Sequence, residues 1–337
     1  MKHLLLTFLM SAAIVPCLSL AQTLQGLGGQ SNAIIITTTP PRPGPNQIIN
    51  VAIDSYAIDL DSADISWFLN NNLQTEKTGQ KTFTFKTGAP GSVSNLLIVA
   101  KTQNGEIVQQ VLNVRPAAVD IIWEAQSYSP PFYKGKALYP PQGTVKVVAL
   151  PNFVTPNGAV VNPNTLVYTW QLNGNPIASA SGYGKSFITF TGSIPLKKAT
   201  ITVEAATTDQ SYIADSSITV TPTSPKILFY ENNPLLGTMF NKALSASTRL
   251  QNQEITVVAI PYSMGASLRD GDGLSYAWSM NNQPVTVGGS GSSLTFREQN
   301  GAAGTATISL QVSNSNTDKI LQFAEGALTL SFGGTRN

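Results

Sequence analysis

The chain has 337 residues, of which 42% are hydrophobic and 11% are charged, and its formal net charge is +2 at pH 7. An average soluble protein has about a quarter charged residues, and a near-neutral charge supplies no basic surface for nucleic acid or for an anionic membrane. The only cysteine, Cys17, and the only histidine, His3, fall in the first segment of the chain. If that segment is removed, the mature protein has no disulfide, no thiol or imidazole catalyst and no Cys or His zinc ligand.

Residues 1–21 have the features of a signal peptide. An apolar run at residues 4–15 is too short to span a bilayer, and small residues at 19–21 match a signal peptidase site. We therefore expect cleavage before Gln22 and export to the periplasm, the cell surface or the medium. Two alternatives are lipidation at Cys17, whose preceding residues match a lipoprotein signal poorly, and an uncleaved anchor, which the short apolar run disfavours. No later stretch reaches the apolar length of a transmembrane helix, so no integral membrane segment is expected in the mature chain.

The mature chain is organised around a tryptophan-centred strand that occurs three times. The copies are residues 65–71, 168–174 and 276–282. In each copy, apolar residues fall on alternate positions through the tryptophan and end at an Asn-Asn or Asn-Gly pair. This is the pattern of a half-buried strand that enters a tight turn. The spacing of about a hundred residues is typical of one small β-sandwich domain.

Other strands repeat in the same order around each copy. The run at 48–53 precedes the first tryptophan, and the runs at 145–150 and 255–260 precede the second and third. A proline-punctuated opening strand at 34–39 is predicted at a sheet edge, because proline cannot donate to a ladder. An Asn104-Gly105 turn closes the last hairpin of the first repeat. No stretch beyond the signal has helical periodicity, so the chain is predicted to be all-β, with short proline-containing joints that favour a semi-rigid rod.

The third copy carries a family resemblance. The stretch Asp270-Gly271-Asp272-Gly273-Leu274-Ser275-Tyr276-Ala277-Trp278 is similar to the Asp-x-Asp-Gly and Leu-x-Tyr-x-Trp pattern of PKD domains. Asp59 and Asp61 stand at the same distances from the first tryptophan, and two asparagines take these places in the second copy. After the tryptophan the chain has Leu or Met and an asparagine turn, where PKD domains have an Asp-Phe-Gly-Asp-Gly-like turn. The resemblance implies the tandem Ig-like β-sandwiches of bacterial surface proteins, and it implies architecture more than activity.

These observations predict three tandem Ig-like/PKD-like β-sandwich domains after an N-terminal signal peptide. Each domain is large enough to fold by burial and sheet pairing without disulfides. The predicted divisions are a signal peptide at 1–21, a flexible tail at 22–33, and β-sandwich domains at 34–116, 117–223 and 224–337.

Pairs of carboxylates one residue apart are candidate calcium ligands in the first and third repeats, since Ca²⁺ binds oxygen ligands. The candidate ligands are Asp59, Asp61, Asp270 and Asp272. The alternative is an Asx-turn, in which the side-chain oxygen accepts a hydrogen bond from the backbone two residues on. Asn162 and Asn164 in the second repeat favour the Asx-turn, because asparagine serves it without charge. Apart from calcium, no cofactor is expected.

Aromatic residues are the other candidate functional groups. The three tryptophans are predicted to be core residues between sheets, rather than a face that stacks on sugars. Aromatic and proline residues also cluster at 128–141 and 230–237. They are predicted to pack each domain against the preceding one, with a binding surface as the alternative. The glycine- and serine-rich run at 288–293 is predicted to be a mobile hairpin loop with no other role.

Catalysis is not expected from this residue set. Without histidine or cysteine, the options are a carboxylate pair or a Ser-Lys dyad, and the acidic residues are scattered, with no cluster. The sequence therefore favours an exported, non-enzymatic rod that acts in adhesion, scaffolding or protein–protein interaction at the bacterial cell envelope or a surface appendage. One alternative is a carbohydrate-binding module array, and another is an accessory subunit of an exported enzyme or a secretion or pilus machine. The expected partners are envelope or surface proteins, or glycans.

Overall fold

A computed structural model describes residues 33–271, 273–289, 291–299 and 303–333. The predicted signal peptide, the tail up to residue 32 and the candidate ligand Asp272 lie outside the described residues. The described chain is built of strands, with two single-turn 3₁₀-helices, Pro163–Thr165 and Ala178–Ala180, and no longer helix. The predicted all-β fold is confirmed. Within the described ranges, no helix is both long enough and apolar enough to cross a membrane.

The first repeat forms two antiparallel sheets, one in the order β1-β2-β5 and one in the order β4-β3-β6-β7. Its strands are β1 (Ile35–Thr39), β2 (Ile48–Asp54), β3 (Asp64–Leu69), β4 (Asn72–Thr78), β5 (Thr82–Lys86), β6 (Ser94–Lys101) and β7 (Ile107–Val114). As predicted, the opening strand β1 lies at a sheet edge. Each sheet has one buried face, because buried residues alternate with more exposed ones along strands such as β2 and β6.

The described chain divides into two compact units. The smaller unit contains Asp54–Lys81 and Leu96–Leu112, which is most of sheet β4-β3-β6-β7. The larger unit contains Ile36–Ile53, Thr82–Asn95 and the chain from Asn113 onwards. The domain limits that the sequence suggested after residues 116 and 223 stay a prediction.

The second repeat is a sandwich of a three-stranded sheet, β13-β9-β8, and a sheet in the order β11-β10-β14-β15, with β12 beside β10. Its strands are β8 (Ala118–Ala125), β9 (Thr144–Asn152), β10 (Val167–Leu172), β11 (Asn175–Pro176), β12 (Gly182–Tyr183), β13 (Phe187–Thr191), β14 (Ala199–Ala206) and β15 (Ile213–Val220). Val147 on β9 and Val203 on β14 belong to one buried cluster with Trp170, so the core lies between the two sheets.

The third repeat is also a sandwich, with the strand orders β17-β16-β19-β22 and β18-β24-β23-β20-β21. Its strands are β16 (Lys226–Asn233), β17 (Gly237–Thr238), β18 (Ser247–Arg249), β19 (Glu254–Tyr262), β20 (Leu274–Met280), β21 (Gln283–Val285), β22 (Ser293–Arg297), β23 (Gly304–Asn314) and β24 (Phe323–Phe332). Phe229 on β16 and Leu310 on β23 share a buried cluster with Trp278. The edge strand β18 pairs in parallel with β24.

All three repeated tryptophans are core residues, which confirms the core prediction and excludes them as a sugar-stacking face. Trp67, Trp170 and Trp278 are 0%, 0% and 3% exposed. Each indole nitrogen donates to a backbone carbonyl, of Gln80 (3.0 Å), Lys185 (2.7 Å) and Gly291 (2.7 Å) respectively. The buried indole N–H therefore has the same kind of partner in every repeat.

The loop at 288–293 has a structural role that its glycines and serines did not predict. In its described part, Gly291 accepts the indole N–H of Trp278 at 2.7 Å. The next side chain, Ser292, is buried and donates to Asp270. The sequence gives no signal that this loop binds the tryptophan, because a backbone carbonyl, which every residue has, accepts the indole N–H.

The asparagine turns after the tryptophan strands have the predicted tight geometry. Asn173 has φ 53° and Asn281 has φ 52°, values in the left-handed region that two-residue hairpin turns require. Both side chains also accept a backbone N–H of the adjacent strand at 2.9 Å, from Thr200 and Thr307 respectively. Asparagine is favoured here because it tolerates positive φ and caps the neighbouring strand.

Candidate binding surface

The candidate calcium ligands of the first repeat form an Asx-turn. Asp59 Oδ1 accepts the backbone N–H of Asp61 at 3.0 Å, and Asp59 Oδ2 accepts the Ser62 hydroxyl at 2.7 Å. These hydrogen bonds, the Ser62 hydroxyl first, lower the pKa of Asp59. Asp61 forms an ion pair with Lys81 at 2.7 Å. In the second repeat Asn162 makes the same turn, because its Oδ1 accepts the N–H two residues on at 3.0 Å.

Asp270 in the third repeat is held by neighbouring side chains. The guanidinium of Arg269 donates to both carboxylate oxygens of Asp270, at 3.1 Å and 3.0 Å from Nε. Ser292 also donates to Asp270. Among the described residues there is no group of three or more His, Cys, Asp and Glu side chains placed to hold a metal ion. The calcium site stays a prediction, with Asp272 outside the described residues.

The segment 128–141 packs against the third repeat, which follows it, whereas packing against the preceding repeat was predicted. The prediction that the 230–237 cluster packs against the preceding repeat is confirmed at Tyr230, which shares a cluster with Tyr128. The Tyr128 N–H donates to the carbonyl of Met264 at 3.4 Å. The ring of Phe132 meets that of Phe240 edge-on, with 6.1 Å between centroids. The sequence does not indicate which repeat this segment packs against, because that depends on which sheet the long β8–β9 connection crosses.

The connection is shaped so that it presents aromatic rings outwards. The Ser127 hydroxyl donates to the carbonyl of Leu138 at 2.7 Å, which closes a loop. Within that loop, the Tyr133 N–H donates to the carbonyl of Pro130 at 3.2 Å, which closes a turn. At the turn Phe132 has φ 65°, which costs a residue with a Cβ about 1–2 kcal/mol. The ring of Phe132 is nevertheless 86% exposed. Local strain thus accompanies an apolar ring in solvent, which is a feature of interaction sites.

A cleft of about 350 Å³ lies beside these rings. It is lined by Tyr128, Pro131, Thr238, Phe240, Leu268, Arg269 and Asp270. Leu268 is 68% exposed, although its side chain is apolar. The charged lining residues, Arg269 and Asp270, are paired with each other. The cleft is therefore an apolar surface with one neutralised ion pair at its side.

The floor beside the cleft is a fixed aromatic cluster. The rings of Tyr230 and Phe240 lie 5.4 Å apart, and those of Tyr133 and Tyr262 lie 6.0 Å apart. Burial, followed by the hydrogen bond that Tyr262 shares with Tyr230, raises the pKa of the Tyr262 hydroxyl. The Tyr262 phenol is therefore neutral at physiological pH and adds no charge to this aromatic surface.

Two glutamines hold the connection against the third repeat. Gln142 Nε2 donates to the carbonyl of Asp318 at 2.6 Å, and Gln142 Oε1 accepts the N–H of Leu321 at 2.9 Å. Gln322 Nε2 donates to the carbonyl of Pro141 at 2.7 Å. Gln322 is 1% exposed, so these are buried polar contacts with full partners. They fix the segment that carries the aromatic rings.

Sequence reasoning singled out Tyr128, Pro131 and Phe132 but missed Phe240 and Leu268. Those two residues lie in the β17–β18 and β19–β20 connections, outside any strand periodicity. A loop residue with an apolar side chain gives no sequence sign of whether it is buried or exposed. The one available signal was the presence of leucine and phenylalanine in loops that a soluble fold does not need to make apolar.

Comparison with protein-family models gives no match, and comparison with curated protein sequences gives none. The structure is similar to Clostridium thermocellum CbhA fibronectin(III)-like modules, with 14% identity and TM-score 0.28, over 56% of this chain and 94% of that one. It is similar to the central fibronectin-III array of RIM-binding protein, with 12% identity and TM-score 0.29, over 92% of this chain and 100% of that one. It is also similar to Bacteroides ovatus SGBP-B of a mixed-linkage glucan utilization locus, in complex with a heptasaccharide, with 13% identity and TM-score 0.21, over 92% of this chain and 69% of that one.

Proposed function

We propose that this chain is an exported, non-enzymatic binding protein of the bacterial cell envelope or a surface appendage, where it acts in adhesion or scaffolding. Its aromatic cleft holds a partner protein. The observation that carries the proposal is this cleft. Leu268 lines it and is exposed, and Phe132 stands exposed beside it on the segment that buried glutamine contacts fix. The signal peptide at 1–21 and the PKD-like motif support export and a place at the cell surface.

The chemistry of the cleft supports a protein partner. Interface centres are enriched in aromatic residues and arginine, and a few such side chains carry most of the binding energy. Tyr128, Phe240 and Arg269 line this cleft together with Leu268. Burying the exposed part of a leucine or phenylalanine side chain stabilises a complex by about 25 cal/mol per Å² of apolar surface. The rings are already fixed, so less side-chain entropy is lost on binding.

A carbohydrate partner is the second candidate, favoured by the exposed ring of Phe132 beside the cleft. Sugars stack on such rings, but they also need polar groups that can exchange hydrogen bonds with their hydroxyls. The carboxylate of Asp270 already accepts hydrogen bonds from Arg269 and Ser292. An apolar protein surface therefore fits the lining better than a glycan does.

No catalytic role is part of the proposal. An accessory role in an exported enzyme complex or a secretion or pilus machine differs only in the identity of the partner. In that case the same cleft contacts the machine, and the partner recovered in the experiment below identifies it.

The test is recovery of an envelope protein by the purified chain, compared among three forms. Leu268→Asp places a charge in the cleft, whereas Val160→Asp places one at an equally exposed position, 71% against 68%, on the second repeat. The wild type and Val160→Asp are expected to retain one defined partner, which Leu268→Asp loses. A glycan array run in parallel decides the alternative. Glycan signals that Phe240→Ala removes, with no protein recovered, would overturn the protein-partner proposal.

A further inference from the structure

The last strand of each repeat stands at or next to the edge of its sheet, and two of the three are protected there. An unprotected edge invites pairing with another chain. In the third repeat β18 pairs in parallel with β24 along Ser247–Arg249 and covers part of it. In the second repeat β15 carries Asp215, which pairs with Arg42 at 3.4 Å. Charged residues of this kind are a common edge protection.

The corresponding strand of the first repeat, β7, has neither device. Its sequence from Ile107 to Val114 contains no charged residue and no proline. Among the described residues, no further strand pairs with its free side, because it ends the order β4-β3-β6-β7. Ile107 is 62% exposed, although it is β-branched and apolar. At eight residues β7 is long enough to form a stable ladder with another strand.

One row of side chains on the outer face of the same sheet is apolar in the first repeat, where the other repeats have polar residues, proline or alanine. In each repeat, strand register places the residue after the tryptophan in one row with its neighbours on the adjacent strands. In the second and third repeats its members are Pro176, Gln171, Thr202 and Ser217, and Pro284, Ser279, Ser309 and Ala327. In the first repeat the row contains Leu73, Phe68 and Leu97. In this row, therefore, only the first repeat has large apolar side chains.

The hairpin register shows which groups of β7 face the open edge. The Thr102 N–H donates to the carbonyl of Glu106 at 2.9 Å, which makes these two residues a hydrogen-bonded pair. In an antiparallel ladder such pairs alternate with pairs that make no bonds to each other. The N–H and carbonyl groups of Ile107, Gln109 and Val111 therefore point away from β6, towards the edge. Counting from the same pair places Val111 beside Leu97, so the apolar row continues onto β7.

We propose that β7 pairs antiparallel with β7 of a second copy of this chain, about a twofold axis at Gln109. The two four-stranded sheets then form one continuous sheet. In this register Ile107 lies opposite Val111 of the second copy, and Gln109 lies opposite Gln109 of the second copy. The proposal does not rest on the proposed function of the cleft, since it uses residues of the smaller compact unit alone.

A second copy fits this edge because the strand is complementary to itself. The symmetric register joins β-branched residues on the outer face, which is a favourable cross-strand pair. It brings no like charges together, because β7 has none. Closed twofold symmetry is also the commonest arrangement of homo-oligomers. The apolar row from Leu73 to Val111 then gains Ile107 of the second copy as its next member.

The test is the mass of the chain in solution by analytical ultracentrifugation, for the wild type and for charge variants at the axis. Gln109 is exposed and its N–H is free of the β6 ladder, so Gln109→Lys and Gln109→Glu each keep the fold but set like charges opposite each other. The wild type is expected to be a dimer and each variant a monomer. An equimolar mixture of the two variants is expected to recover the dimer, since Lys then faces Glu. Gln311→Lys, at an exposed position on β23, is the control and is expected to remain a dimer.

Proline variants separate the edge from the fold. Gln109→Pro is expected to give a monomer with an unchanged melting temperature, because that N–H points to the edge. Gln110→Pro removes an N–H that bonds to β6 and is expected to lower the melting temperature. A wild-type monomer at tens of micromolar, a Gln109→Lys dimer, or a mixture that stays monomeric would each overturn the proposal.

Discussion

The buried glutamine Gln322 gives the sharpest test of how the cleft is held. Its Oε1 accepts the N–H of Gly265 and the amide of Asn314, both at 2.8 Å, and its Nε2 donates to the carbonyl of Pro141 at 2.7 Å. Gln322→Met keeps the length of the side chain but removes all three partners. A buried polar group that loses its partner costs about 1–3 kcal/mol. At the lower end for each group, the loss is about 3 kcal/mol of unfolding free energy.

The expected change is a fall in the melting temperature of about 6–12 °C, since 1 kcal/mol corresponds to about 2–4 °C for a unit of 150–250 residues. Differential scanning calorimetry of the full chain measures it. The control is Gln311→Met, because Gln311 is an exposed glutamine on the neighbouring strand β23 and should change stability by less than about 0.5 kcal/mol. Equal melting temperatures for the two variants would refute the view that this network holds segment 128–141 against the third repeat.

Three further predictions test the core, the Asx-turn and the metal hypothesis. Trp170→Ala is expected to lower the unfolding free energy by about 3–5 kcal/mol in urea denaturation, because it empties the core and removes an indole hydrogen bond; an unchanged midpoint would contradict its burial. The pKa of Asp59 is lowered in the folded chain, so its stabilisation is present above the unfolded pKa of about 3.9 and is lost as pH falls through the folded pKa. Asp59→Asn should therefore keep the turn, as Asn162 does. Between pH 5 and pH 2 the melting temperature of this variant should fall less than that of the wild type. If the paired aspartates hold calcium, millimolar calcium raises the melting temperature and a chelator reverses the rise. Equal melting temperatures with calcium and with chelator would reject the metal site and leave the Asx-turn as the role of these residues. The existing hydrogen bonds of Asp59 and Asp270 favour that second outcome.

The repeated strands could be predicted because their signals are local. Alternating apolar residues around Trp67, Trp170 and Trp278 specify a half-buried strand, and the asparagine pairs that follow specify a turn with positive φ. Each of these signals depends only on neighbours along the chain. The all-β fold and the buried tryptophans therefore follow from the sequence alone.

The cleft could be predicted only in part, because its residues are brought together by the fold. The aromatic and proline residues from Tyr128 to Tyr133 were identifiable as a cluster in the sequence. Their partners Phe240 and Leu268 come from connections more than a hundred residues later, and no periodicity marks them. The role of Gln322 was equally hidden, since a lone glutamine in a loop is usually solvated.

The unprotected edge of β7 was visible in the sequence as an uncharged strand, but its meaning depends on sheet order. Only the structure shows that β7 ends its sheet, while β24 is covered by β18. The same eight residues in the middle of a sheet would carry no consequence for assembly.

The aromatic cleft is proposed to hold a partner protein. Photo-crosslinking in living cells is the sharpest test of this proposal, because it captures whatever lies against the cleft. A benzophenone amino acid is placed at Leu268 in the cleft or, as the control, at Val160, which is similarly exposed. Irradiation is expected to give one defined protein adduct from position 268 and none from position 160. Adducts from both positions alike, or from neither, would contradict it.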